Sequence, residues 1–285
     1  MPELYLFTWN LNKNRAAHDL TIKHLAQRGA RDLFIACVQE LPGKSAFAQA
    51  RTGKDVASLT AQGIKVVSAF SPSTRGKKAP SGLVLSKYPA IAYHPQLQFL
   101  DAFADEDGEF VAARFEVHSP KKTITVVGLH AKSQLDMQVA EDRGGSSALL
   151  RHAINEIPWR SDHTIVLGDW NRILSAQEVQ SWHCFYALRE GFSPLDEPSL
   201  AQRRGVDHPP LYVVEPRNVA MGTFRFRDSA THHAKTIDFI AVDRGSHSSS
   251  RSEILTIVAA TPVWDTGLAA PSVSDHLPVD GHLQI

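Results

Sequence analysis

The stretch His163-Thr164-Ile165-Val166-Leu167-Gly168-Asp169-Trp170-Asn171 decides the fold: an apolar run of strand length that stops on an acid, followed at once by an aromatic residue and an amide. Two β-branched residues and a leucine in a row predict a buried strand. An acid at its end is a group carried to the edge of a sheet. The same arrangement recurs along the chain. Apolar runs end, or nearly end, on Thr8-Trp9-Asn10-Leu11-Asn12, Val38-Gln39-Glu40, Gly128-Leu129-His130 and Thr236-Ile237-Asp238-Phe239, and Ser274-Asp275-His276 comes just before the final strand. Strand ends at one edge can converge in a single cleft, which gathers residues distant in sequence around one reacting atom.

The remaining chain fits a layered α+β protein. Strands are predicted at Leu4 to Trp9, Leu33 to Val38, Ile64 to Phe70, Gly82 to Leu85, Phe110 to Val117, Thr123 to Leu129, His163 to Leu167, Ile237 to Val242 and Ile254 to Ala259. Helices are predicted at Ala16 to Arg28, with Leu20 and His24 on one face, and at Asp136 to Ile157, before Pro158. The run Ala90 to Leu100 is followed by Glu109 to His118 with no helix between them, which points to antiparallel pairing and not a strict βαβ repeat. Leu195 to Pro216 and Gly245 to Ser252 are loop-like, and neither is long enough to mark a boundary, so one domain over residues 1–285 is expected.

Composition narrows the function classes. Lys+Arg and Asp+Glu both number 30, so bulk charge does not make this a nucleic-acid-coating protein, although a local basic cleft remains compatible with neutrality. Cys37 and Cys184 are the only cysteines, and Cys37 lies in a predicted buried strand, so no disulfide framework is expected. The first residues carry no basic segment leading into an apolar one, and no apolar run approaches the ~20 residues of a membrane span. A soluble, cytoplasmic protein is expected.

The side chains at the strand ends suit one task. Carboxylates and amide oxygens are hard ligands appropriate to Mg²⁺, and the histidines can manage protons. No Cys₂His₂ spacing, HExxH or GxxxxGK[ST] motif occurs, which leaves zinc sites and P-loop chemistry without support. Each residue also has a plain structural reading: Asn10 and Asn12 as turn residues, Glu40 as a solvated strand end, Asp169 and Asn171 as an Asx turn, and Trp170 as packing. Asp238 is the exception, because a carboxylate inside Ile237-Asp238-Phe239-Ile240 carries a desolvation cost unless it is partnered.

These segments, in this order, resemble the endonuclease/exonuclease/phosphatase superfamily, which includes deoxyribonuclease I, AP endonucleases, sphingomyelinases and inositol polyphosphate 5-phosphatases. The resemblance runs from about Leu4 to the C-terminus. It takes in Ser81-Gly82-Leu83-Val84-Leu85-Ser86-Lys87-Tyr88-Pro89, Arg143, and Gly222-Thr223-Phe224-Arg225. It implies a four-layer αββα sandwich of two mainly antiparallel sheets and a Mg²⁺-dependent phosphodiesterase, with Mn²⁺ as a substitute. Glu40 would be the principal metal ligand, with Asn10, Asn12 and Asp275 near the metal shell. Asp169 would orient or deprotonate the attacking water, Asn171 and His276 would contact phosphate oxygens, Asp238 would orient His276, and His130 would contact the phosphate or protonate the leaving oxygen.

Two departures bear on the substrate. His130 stands where AP endonucleases usually carry tyrosine, which disfavours abasic-site specificity. The loop Ser71 to Pro80 holds Arg75, Lys77 and Lys78 and no acid, where deoxyribonuclease I supplies a glutamate to its histidine. These cations, with Arg143 and Arg225, are candidate phosphate contacts. A nuclease acting on DNA or RNA is the leading expectation. A phosphoesterase acting on a small molecule, an inositol phosphate or a phospholipid is the alternative, and a non-catalytic binding module stands behind both.

Overall fold

The structure, a computed structural model, describes residues 3–43, 45–47, 56–68, 74–75, 89–104, 110–118, 121–130, 157–171, 211–214, 216–217, 223–226, 233–235, 237–243, 246, 250–254, 274 and 276–285. The first sheet runs, in spatial order, β14 (Arg251–Ile254), β15 (Val279–Gln284), β1 (Glu3–Asn10), β2 (Leu33–Gln39), β5 (Ala90–Tyr93), β3 (Lys65–Ser68). The second runs β10 (Leu211–Val214), β13 (Asp238–Asp243), β9 (His163–Asp169), β8 (Lys121–His130), β7 (Phe110–His118), β6 (Gln98–Ala104), β4 (Thr74–Arg75). A small ribbon pairs β11 (Phe224–Phe226) with β12 (His233–Lys235). Pairing is antiparallel except at β1–β2, β8–β9 and β4–β6.

Three apolar clusters show the layering. Leu4, Leu6, Ile35 and Cys37 of the first sheet meet Val111, Val126, Ile165, Leu167 and Ile240 of the second, so the sheets pack face to face. The outer face of the first sheet, through Tyr5, Phe7, Trp9 and Phe34, is buried against helix α1 (Arg15–Gly29). The outer face of the second, through Val127, Val166, Phe239 and Ala241, is buried with Ile157, Trp159 and Trp170. Both faces of both sheets are thus covered, as in a four-layer αββα sandwich of the deoxyribonuclease I type. Between the sheets the backbones come close at Gly128, where a Cβ would sit 2.9 Å from Cys37 Sγ. Burial pushes the Cys37 thiol up to about 12, which makes it an inert packing group.

The strands expected at 4–9, 33–38, 110–117, 123–129, 163–167 and 237–242 form, each with slightly different ends. Other expectations need correction. Ala90 to Leu100 is not one strand: the chain breaks at His94, whose Nε2 lies 3.2 Å from the Gly29 carbonyl, and crosses from β5 in the first sheet to β6 in the second. The loop-like segment ending at Pro216 contains β10, and Gly245 to Ser252 runs into β14, which ends at Ile254 where a strand was expected to begin. β14 carries a single apolar residue, Ile254, and the four apolar residues of β10, Leu211 to Val214, are hidden in sequence by a flank rich in proline and charge. Gly82 to Leu85 and residues 136–156 of the expected helix lie outside the described residues, while Ile157 is described and lies outside any helix.

Helix α1 buries Ala17, His18, Thr21 and Leu25 most deeply, with Leu20, Ile22 and His24 half-buried beside them. Asn14 caps it, its Oδ1 accepting from the N–H groups of Ala16 at 2.8 Å and Ala17 at 3.3 Å. The His24 flank is held by polar contacts. His24 Nε2 lies 2.7 Å from the Tyr5 hydroxyl, and the Arg28 guanidinium sits 4.4 Å above the Tyr5 ring and 3.9 Å from Asp280.

Burial raises the Asp280 carboxyl to about 6, with Arg28 opposing the shift. A folded-state pKa above the ordinary ~3.9 means that the folded protein binds more protons across that window, so stability falls as pH rises through it. Asp280→Asn removes this titration. The urea midpoint of the variant minus that of the wild type should therefore increase between about pH 4 and about pH 7.5. A flat or falling difference would contradict burial as the dominant influence.

Candidate active site

Period-two alternation decides which side chains meet. In β8, β9 and β13 the residues facing the first sheet are Ile124, Val126 and Gly128, then Ile165 and Leu167, then Ile240 and Val242. Continued one step, the same parity brings His130, Asp169 and Asp238 to the inner face at one edge. They are in register, His130 beside Asp169 and Asp169 beside Asp238, so the three form one rung across neighbouring strands. In β1 the parity of Leu4 and Leu6 delivers Asn10 to the same place from the opposite sheet.

Glu40 reaches the cluster differently. Alternation from Ile35 and Cys37 gives the inner face to Gln39, whose Nε2 donates to Thr8 Oγ1 at 2.9 Å. Glu40 would then face α1, but its backbone takes a left-handed φ of 44°, and its carboxylate meets the Asn10 amide at 3.3 Å. Asn171 (φ 47°) and Asn12 (φ 44°) flank the cluster in the same sparsely populated conformation. The observed outliers therefore sit around one cleft edge.

Asn10 is the hub. Its Oδ1 accepts from the Asn12 N–H at 2.9 Å, which fixes the amide orientation, and its Nδ2 donates to Asp169 Oδ2 at 3.0 Å as well as to Glu40. Asp169 Oδ1 accepts from the Asn171 N–H at 2.8 Å. His130 Nε2 lies 3.7 Å from Glu40 and 4.0 Å from Asp169.

His276 comes from near the C-terminus. Its N–H donates to Ser274 Oγ at 3.2 Å, Ser274 Oγ donates to the Asn10 carbonyl at 2.7 Å, and Trp9 Nε1 donates to the His276 carbonyl at 2.9 Å. The imidazole Nδ1 lies 2.9 Å from Asp238 Oδ2. A carboxylate can only accept, so Nδ1 carries the hydrogen and Nε2, 3.8 Å from Asp169, is left facing the cleft.

Asp238 is wholly buried. Burial pushes its carboxyl up; the His276 imidazole pulls it down, and the neighbouring Asp169 charge works with burial. The Thr223 hydroxyl also lowers it, while Thr223 Oγ1 accepts from the N–H groups of Ile237 at 2.9 Å and Asp238 at 3.2 Å. Thr223 and Ser274 lie in segments quoted from the sequence but were given no role there, and Lys13 was not singled out.

Asp169, Asp238 and His276 present ligand atoms within 4.8 Å of one another. Their number and chemistry fit a cation: two carboxylates face each other directly across β9 and β13, with a third, Glu40, adjacent. Because Nδ1 and Asp238 are committed to each other, Glu40 is the more open carboxylate. Asn12 joins through its backbone, its side chain exposed. Trp170 packs edge-on against Phe239 with centroids 5.5 Å apart, which is the packing reading. Arg75 and Arg225 are described only as backbone of β4 and β11, whereas Lys77, Lys78, Arg143 and Asp275 lie outside the described residues. His233 opens β12.

A class of protein is defined by this fold and these residues, and comparison with known proteins gives it a name. The chain belongs to the endonuclease/exonuclease/phosphatase family, whose model matches residues 7–276. No match to the sequence was found among curated proteins. Similar solved structures include the endonuclease domain of TRAS1, a telomere-specific non-LTR retrotransposon (13% identity, 99% of both chains, TM-score 0.55). Another is TDP2 from D. rerio complexed with a single-strand DNA product (11%, 99% of both chains, 0.55). A third is ANGEL2, a 2',3'-cyclic phosphatase, in complex with adenosine-2',3'-vanadate (12%, 99% of this chain and 95% of that one, 0.54). At these identities the likeness is one of fold.

Gly168 sets the spacing of the rung. Its φ is 153°, and a Cβ there would collide with the carbonyl oxygen of Leu129, immediately before His130. Gly168→Ala should therefore push β9 from β8 where both strands end on site residues. The expected loss is about 2 kcal/mol or more, measured by urea denaturation. An unchanged midpoint would show that the strands have slack here.

Proposed function

We propose that the chain, as one catalytic domain over residues 1–285, is a divalent-metal-dependent phosphodiesterase acting on nucleic acid by attack of water. The observation that carries this reading is the pairing of His276 with buried Asp238 at 2.9 Å, next to Asp169 and an Asn10-clamped Glu40. A divalent cation on Glu40, with Mg²⁺ or Mn²⁺ the ions suited to these oxygens, would supply a Lewis acid for a phosphoryl oxygen and charge opposite the developing negative charge.

The remaining roles fall to the side chains. Asp169 accepts the proton of the attacking water and is held for it by Asn10 and by the Asn171 N–H. His276 in its doubly protonated form, with Nδ1–H given to Asp238, presents Nε2–H as a donor to a phosphate oxygen, where it stabilises charge that grows in the transition state. His130, at the end of the rung, is placed to protonate or steady the leaving oxygen. Asn171 contributes its amide to the same phosphate. Neither a covalent intermediate nor a nucleophilic side chain is required.

Nucleic acid is favoured over other phosphate esters because two of the similar structures hold a single-strand DNA product and an adenosine-2',3'-vanadate, a phosphodiester and a vanadate ester, both on nucleoside scaffolds. Arg75, Lys77, Lys78, Arg143 and Arg225 are proposed as its phosphate contacts. Among the described residues no helix is long and apolar enough to cross a membrane.

Purified protein should cleave at least one of supercoiled plasmid, linear duplex, single-stranded DNA and RNA in Mg²⁺. Chelation with EDTA should abolish the cleavage, and Mg²⁺ or Mn²⁺ should restore it. Asp169→Asn and His276→Ala should each lower turnover by ~10²-fold or more with folding intact by circular dichroism. Wild-type rates in either variant would falsify the site. No cleavage of any polymer, with metal-dependent hydrolysis of a small phosphodiester retained, would transfer the same residues to a small-molecule substrate.

A further inference from the structure

Lys13 lies between two asparagines in the turn that leaves β1, in a conformation its side chain does not favour. Asn12 and Lys13 are consecutive left-handed residues, at φ 44° and 56°. Asparagine tolerates this region, whereas lysine has no local hydrogen bond to recommend it there. What holds Lys13 is Glu40: the Lys13 N–H donates to the Glu40 carbonyl at 2.7 Å, beside a Leu11 N–H to Gln39 carbonyl bond of 3.0 Å. The two turns are zipped together, and each supplies a left-handed residue to the join.

The side chains meet as well. Lys13 Nζ lies 3.8 Å from Glu40 Oε2, while Asn10 and His130 approach the other oxygen, Oε1, at 3.3 and 3.7 Å. The ammonium is therefore the group on the carboxylate oxygen that the interior neighbours leave to the cleft. The Lys13 side chain is 56% exposed and that of Glu40 24%, so the pair sits at the mouth. An ion pair this exposed is weak and readily exchanged. A compact ammonium on a flexible four-carbon stem can move several ångströms without disturbing the backbone.

We propose that Lys13 is the substrate-gripping cation of the site, held on Glu40 Oε2 while the carboxylate is free and transferred to an oxygen of the substrate phosphate when Glu40 takes a divalent ion. The inference rests on the reading of Glu40 as the metal ligand. Glu40 cannot serve two cations at full strength, so Lys13 weakens metal binding in the absence of substrate and strengthens the hold on substrate in the presence of metal. It gives the empty site a positive occupant and the loaded site a second positive charge facing the phosphate.

The test uses Lys13→Gly, which removes the ammonium and suits the left-handed backbone, with Lys13→Arg as the conservative variant. Mn²⁺ alone is titrated calorimetrically into each substrate-free protein, and kinetics are followed with bis(p-nitrophenyl) phosphate. Lys13→Gly should bind Mn²⁺ roughly threefold tighter and show a KM about fivefold higher, with kcat within about twofold of wild type. Lys13→Arg should stay near wild type in both. Damage to the turn would weaken metal binding, so the tighter binding separates the proposal from a structural effect. Tighter Mn²⁺ binding together with a raised KM supports the role, and any other pairing overturns it. Glu40→Gln distinguishes the two levels of failure: Mn²⁺ binding lost in this variant leaves the metal site standing whatever Lys13 does, and binding retained removes Glu40 as the ligand and both readings with it.

Discussion

Two carboxylates face each other across β9 and β13 with almost no access to water: Asp169 is 1% exposed and Asp238 0%. Like charges directly opposite on adjacent strands repel, and a buried carboxylate is costly without a partner. The surroundings answer that constraint. His276 is brought to Asp238, Asn10 donates to Asp169, and the Asn171 N–H takes the other oxygen of Asp169. Each of these groups comes from a different part of the chain, so resolving one repulsion ties together the ends of both sheets. The same repulsion is what a site needs if it is to hold a cation and orient water, because charge left in excess inside the protein becomes attraction for a positive ligand.

Regular strands deliver most of these groups, and irregular turns deliver the rest. Parity along β1, β8, β9 and β13 requires only that a polar residue follow the last inward apolar one at the correct step. Glu40 breaks that parity and depends on a left-handed turn, as do Asn12, Lys13 and Asn171. The sheets therefore set the height and spacing of the rung, and the turns set the direction from which the remaining groups approach it. Backbone strain is concentrated where side chains must point against the pleat.

This division also explains what was legible in the sequence. The rung His130, Asp169 and Asp238 could be read because each residue closes or opens a long apolar run, and an acid within Ile237-Asp238-Phe239 stands out against its neighbours. The layered α+β class followed from the same runs, and the two-sheet sandwich from the resemblance. The pairing of His276 with Asp238 was legible only through resemblance, since no local pattern links residues so far apart. The break at His94 and the short strands β10 and β14 were not legible. At His94 a polar contact with Gly29 turns the chain within an apolar run, and β10 was hidden by the proline and charge of its flank. Lys13 escaped notice and Thr223 was read only as part of a segment, because their importance lies in backbone geometry and in amide partners, which residue type alone does not reveal.

The registration of β1 against β15, Thr8 opposite Val279, joins residues from the two extremes of the sequence beside the cleft. Ser274 and His276 are fastened to Asn10 and Trp9 by two side-chain hydrogen bonds of 2.7 and 2.9 Å. The site is thereby closed by a segment far along the chain from the strands that carry its acids, and a polypeptide interrupted before His276 would hold Asp169 and Asp238 without the imidazole that partners Asp238.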